Sequence, residues 1–227
     1  MDEAIVFAMA LTLPAAAALV SIPFFLIDAL YTRGAFTTAD AHATASALLH
    51  YGWGVPAFVL AQLFSRAFFA RQDTKTPMRY ALVSVGVNIA AGVTLFQVMG
   101  VAGIAAATAF ASWLNVIMMA VTLARRGDYR PAPKAISRLL RILAASIALG
   151  VLLGLASHYR EAIQQALRPL AFGPLHSKEL AIAVVTALAG VSYPFLLFAS
   201  GGLTLSQART ALRRRRGDPP EGPADLP

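Results

Sequence analysis

The sequence predicts an all-α, polytopic membrane bundle of six transmembrane helices. Three observations carry that reading. Apolar runs at 4–30, 48–70, 80–98, 101–124, 139–156 and 180–200 are each close to or above the roughly 20 residues that carry a helix across a hydrocarbon core of about 30 Å. Hydrophobic residues make up 58% of the 227 and charged residues 13%, with a mean hydropathy of +0.65, whereas a soluble domain is usually about a quarter charged. Of the nineteen Lys and Arg residues, all but Arg33, Arg160, Arg168 and Lys178 fall beside the ends of spans two and four or in the tail. The positive-inside rule then puts the N-terminus, those two loops and the tail in the cytoplasm. In lipid each backbone amide needs a partner within its own segment, so the spans are expected to be helices.

Span one carries Pro14 and Pro23, each of which removes an amide donor and predicts a kink. After it, Thr37 and Asp40 have the spacing of a capping box, which would start the second helix ahead of the membrane. Span two contains Gly52, Gly54 and Pro56, and two readings stand side by side. They form a hinge or broken helix beside a transport path, or they allow a neighbouring helix to approach closely. Spans three and four form a tight hairpin through residues 99–101, punctuated by Asn88, Gln97, Thr108, Ser112 and Asn115.

Residues 125–136 read as a cytoplasmic linker whose Pro131 and Pro133 stop a continuous helix. The linker divides a four-helix unit, 1–124, from a final helix pair within 137–208. Between spans five and six, apolar residues at 159, 162, 163, 166, 167 and 170 predict a short interfacial helix ended by Pro169. The tail, 209–227, is basic and then proline-rich, and is expected to be disordered, with Arg213, Arg214, Arg215 and Arg216 touching anionic lipid.

Several chemistries are disfavoured. The absence of cysteine excludes disulfides and thiolate metal sites, and four scattered histidines give no zinc pattern, so no metal site is expected. The net charge of +8 reports topology and anionic headgroups, and no nucleic-acid partner is expected. Residues 1–3 lack the basic leader of a signal peptide. No phosphate-cradling loop of the P-loop type is present, and Asp28 is the one acidic residue within the spans, near an outer end. Transport is favoured over enzymatic chemistry. Arg66 lies about one turn inside the end of span two, where it either faces a cavity and holds a phosphate or snorkels to the headgroups. Asn88 and Asn115 either line a polar path or join helices by hydrogen bonds.

Three strings then carry a family resemblance: Arg33, Gly34 and Phe36 after Tyr31; the stretch 54–60 around Pro56; and Arg71, Gln72, Asp73, Thr74, Thr76 and Pro77. In this order they resemble landmarks of the MurJ/MviN family, the lipid II flippases of bacterial peptidoglycan synthesis. Residues 87–89 and 103–115 continue the match. The resemblance implies helices nine to fourteen of a fourteen-helix, two-lobed transporter similar to MATE exporters of the MOP superfamily. The first lobe, with the charged residues that meet the pyrophosphate, would be missing, so the chain is expected to be a fragment or one half of a split protein.

Many relatives have lysine in place of Gln62 and proline in place of Arg66. The implied function is alternating-access translocation of an undecaprenyl-pyrophosphate-linked precursor across the bacterial inner membrane, the last two helices flanking a groove for the lipid tail. A related oligosaccharide-lipid or MATE-like drug exporter, or a membrane scaffold, are the alternatives. The expected partners are the lipid-linked precursor, membrane lipids and the missing lobe. No cofactor is expected beyond a sodium ion at Asn88 and Thr108, a site weakened by Gly92, which stands where a carboxylate would be wanted.

Overall fold

A computed structural model describes residues 1–170 and 177–199. The described residues form α1 (Asp2–Ser21), α2 (Pro23–Tyr31), α3 (Thr38–Phe69), α4 (Lys75–Met99), α5 (Val101–Arg125), α6 (Pro133–His158), α7 (Arg160–Leu167), a 3-10 turn (Arg168–Leu170) and α8 (Ser177–Ala199). Six of the helices are long and apolar enough to cross a membrane: α1, α3, α4, α5, α6 and α8.

The first apolar run is two helices. Pro23 lacks the amide that would close onto Leu19, and the chain turns at Ile22 (φ −128°, ψ 36°), leaving Pro23 at the first position of α2. Pro14 is accommodated inside α1. It leaves the Ala10 carbonyl without its usual partner, and the Tyr193 hydroxyl of α8 donates to that oxygen at 2.6 Å. Thr37 caps α3: its hydroxyl accepts from the Asp40 amide at 3.3 Å, and the Asp40 carboxylate accepts from the Thr37 amide at 2.9 Å. Because of that cap, α3 begins ten residues before the second apolar run. Pro133 starts α6 rather than ending the preceding helix, so the connection from α5 shrinks to residues 126–132. The four arginines Arg213, Arg214, Arg215 and Arg216 and the tail expected to be disordered lie outside the described residues.

Packing divides the helices into two groups that share α1. In the first, α1, α3 and α5 enclose a core of Ile5, Met9, Ala57, Phe64, Phe68, Met119 and Leu123. In the second, α2, α6 and α8 meet around Phe25, Leu149, Leu153, Ile182 and Val185, while Val6, Ala10, Ile142 and Leu197 join α1 to the same pair. The final helix pair therefore packs onto the four-helix unit. Helix α4 lies against α5 and has Pro77 as its buried residue. Its Leu82, Val85, Ile89, Val93 and Phe96 are all more than half exposed, the surface a helix presents to lipid or to another membrane segment.

Candidate functional site

The α3–α4 and α5–α6 connections at the basic end are built alike. After α3, Gln72 takes the left-handed conformation (φ 60°), the Asp73 amide donates back to the Phe68 carbonyl at 3.1 Å and the Gln72 amide to Phe69 at 2.9 Å. After α5, Gly127 (φ 72°) does the same, with the Asp128 amide on Leu123 at 2.9 Å and its own on Ala124 at 3.2 Å. Both are Schellman turns flanked by an arginine before and an aspartate after. The flanking charges pair crosswise: Arg126 with Asp73 at 2.7 Å, and Arg71 with Asp128.

Asp73 also accepts from the Thr76 hydroxyl at 2.7 Å and the Thr76 amide at 3.0 Å, closing the first turn of α4. Arg126 first, and then Thr76, hold the Asp73 carboxyl well below the usual carboxylate range. The motif 71–77 is thus a self-consistent turn and clasp. The residue that sequence reading missed is its partner, Asp128, and the repeated Arg-x-Asp spacing at 71–73 and 126–128 is the signal that could have found it.

The same end is tied to α1. Asp2 accepts from the Tyr129 hydroxyl at 2.5 Å and the Ala132 amide at 3.1 Å, and Arg138 meets Glu3 at 3.3 Å. Burial, reinforced by Asp2, pushes the Tyr129 hydroxyl far above its ordinary pKa, so it stays a donor.

Mid-helix, Gly52 and Gly54 lie at close helix contacts. A Cβ on Gly52 would fall 2.8 Å from Leu19 Cβ, and one on Gly54 would fall 2.8 Å from Ala109 Cβ. Helix α3 runs unbroken through Pro56, and the Trp113 indole N–H donates to the nearby Trp53 carbonyl at 3.0 Å. What the structure displays at 52–56 is close packing.

Of the polar candidates, Gln62 and Arg66 are exposed one turn apart on α3. Asn115 is partly buried on α5, with an Oδ1 that has no hydrogen-bond partner. Asn88 lines a shallow apolar depression with Gly92, Phe96 and Ile104 that the other three do not reach. Thr108 Oγ1 donates to Asn88 Oδ1 at 3.2 Å and to the Ile104 carbonyl at 2.9 Å, so the two oxygens proposed for sodium are engaged with one another. Among the described residues no three His, Asp or Glu side chains gather as metal ligands.

At the opposite end Arg33 pairs with Glu179 at 2.6 Å, and Asp28, 11% exposed, pairs with Lys178 at 3.1 Å. These contacts fasten the end of α2 to the start of α8. Beside them α6, α7 and α8 line an apolar groove of about 530 Å³, with Leu152 and Ala156 from α6, Val184 and Leu188 from α8, and Ile163 and Leu167 from α7.

Residues 1–170 match the family model described as lipid II flippase MurJ. The chain belongs to the lipid II flippase MurJ family. It is 36% identical over 219 residues to the probable lipid II flippase MurJ of Rhizobium tropici, which covers 96% of this chain and 40% of that protein. To the Rhizobium meliloti protein of the same name it is 34% identical over 214 residues, covering 94% and 39%. The chain therefore spans about 40% of the length of these curated relatives. A solved structure, lipid II flippase MurJ in an inward closed conformation, superposes with a TM-score of 0.66 at 20% identity, over 87% of this chain and 38% of that one. That likeness supports the fold, a multi-pass bundle of membrane-length helices.

Proposed function

We propose that this chain forms the C-terminal part of a lipid II flippase, in which the groove between α6 and α8 holds the polyprenyl tail of the lipid-linked peptidoglycan precursor. The groove carries the reading. Among the described residues its walls are almost wholly apolar, with Ser192 supplying the one side-chain hydroxyl, and it lies between two membrane-spanning helices where an apolar chain can enter sideways. A headgroup would move past while the tail stays in an apolar medium. The transporter would then spend interaction energy on the polar head alone.

In this reading the basic ends of α3 and α5 face the cytoplasm of a bacterial inner membrane, and the ends tied by Asp28 and Lys178 face outward. The first lobe supplies the cationic cavity, and the exposed faces of α3 and α4 are available to it. The drive is the membrane potential or an ion gradient.

The test uses the full-length protein that carries this segment, in cells whose only flippase it is. Ala189→Trp, which fills the groove, is expected to raise inner-leaflet lipid II severalfold at unchanged protein level. Normal translocation by that variant would remove the tail role. Unchanged lipid II on depletion of the whole protein would remove the flippase reading itself.

A further inference from the structure

Helix α7 separates two cavities of opposite character. Ile163, Ala166 and Leu167, three and four residues apart, face the apolar groove. Glu161, Gln164, Gln165 and Arg168, related by the same spacing, face an open polar cavity of about 350 Å³ that Ser177 and Lys178 of α8 also line among the described residues. We propose that this polar cavity receives the phosphate head of a lipid whose chain lies in the groove. The proposal rests on the tail-groove reading and adds a headgroup subsite to it.

The charges in the cavity are unequally committed. Lys178 is held by Asp28 at 3.1 Å, whereas Arg168 has no ion-pair partner among the described residues. A guanidinium with no ion-pair partner among the described residues, beside two carboxamides and a hydroxyl, offers a phosphate a bidentate cation and neutral donors. The Glu161 carboxylate lies seven residues before Arg168, about 10 Å along the helix, so phosphate is placed at the Arg168 end. An α-helix is about 10 Å thick, the distance a phosphate ester covers by rounding α7 from the groove. Arg33 and Glu179 lie outside this cavity, paired with each other at 2.6 Å.

The experiment reconstitutes the 227-residue chain in lipid nanodiscs and measures binding of polyprenyl monophosphate, the matching uncharged polyprenol, dioleoyl phosphatidate and inorganic phosphate by native mass spectrometry. Polyprenyl phosphate is expected to bind about tenfold more tightly than polyprenol, a gain set by one charge-assisted bidentate contact. Arg168→Gln, at an exposed position, removes that preference and leaves polyprenol binding in place. Leu188→Trp weakens both lipids together. The same Arg168-dependent gain for phosphatidate supports the subsite and identifies its source as bilayer lipid; a gain confined to the prenyl compound supports it as a carrier site.

Equal binding of polyprenol and its phosphate, or a preference that survives Arg168→Gln, overturns the subsite while the groove stands. Arg168-dependent binding of inorganic phosphate as tight as that of the lipid overturns the lipid assignment. If neither prenyl compound binds, the groove reading and the subsite fall together.

Discussion

Gly54→Ala tests whether the glycines of α3 serve packing or bending. A Cβ there falls 2.8 Å from Ala109 Cβ and 3.1 Å from Ala109 Cα, while ordinary contact begins near 3.4 Å. Neither partner has a rotamer to turn, so α3 and α5 must part by about 0.6 Å at their crossing. Overpacking of this kind costs about 1–3 kcal/mol, and the better helix propensity of alanine returns about 0.5–1. The steric term wins, and the single variant is expected to lose about 1–2 kcal/mol.

Ala109→Gly removes a fully buried methyl and also costs about 1 kcal/mol. In Gly54→Ala/Ala109→Gly the methyl is passed across the interface and only the 3.1 Å contact remains, which a shift of a few tenths of an ångström relieves. The double variant should therefore be more stable than the two losses summed, with a coupling energy of about 1 kcal/mol. Unfolding by denaturing detergent, followed by helical circular dichroism, measures all four proteins. A coupling near zero, or a stabilised Gly54→Ala, refutes the packing argument and returns these glycines to a role in bending.

Tyr193→Phe removes the donor to the Ala10 carbonyl freed by Pro14 and should cost about 1 kcal/mol in the same assay. Lowering of the Asp73 pKa means that its contribution is fully present above the ordinary carboxylate pKa near about pH 4 and is lost progressively as pH falls from there through the depressed value. Arg126→Ala returns that pKa toward the ordinary range near about pH 4, so the stability lead of the parent, greatest at neutral pH, should narrow as pH falls below about 4 in the same assay. Gln72→Gly relieves the left-handed conformation of a residue with a Cβ and should stabilise by about 0.5–1 kcal/mol, whereas Gln72→Val should destabilise.

The membrane helices were legible because the apolar runs and the Thr37–Asp40 spacing are local signals, and the amphipathic pattern of α7 is equally local. What the runs could not reveal is where helices begin in polar sequence. α6 starts at Pro133 through a backbone preference, ahead of its hydrophobic stretch, and the first run divides at Ile22 because one amide is missing. The tertiary ties were out of reach for another reason. Lys178 finds Asp28 at a separation of 150 and Tyr193 finds Ala10 at 183, and no spacing rule connects either pair. The groove is illegible in composition, since Leu, Ala and Val suit any lipid-facing helix. Its width comes from how α6 and α8 are held, and the polar candidates Gln62, Arg66, Asn88 and Asn115 share no such enclosure.

The anchoring of residues 126–132 by Asp2, Tyr129 and Ala132 sets the depth of α6. With Arg138 on Glu3 as well, the start of α6 is referenced to the start of α1, and the two cannot slide past each other along the bilayer normal. Helix α8 is moored at the other face, through Lys178 and Glu179 to α2. One jaw of the groove is thus pivoted at one membrane surface and the other jaw at the opposite surface. In the tail-groove reading, widening for a thicker chain would come from tilt, scissor-fashion, and not from either helix rising or sinking.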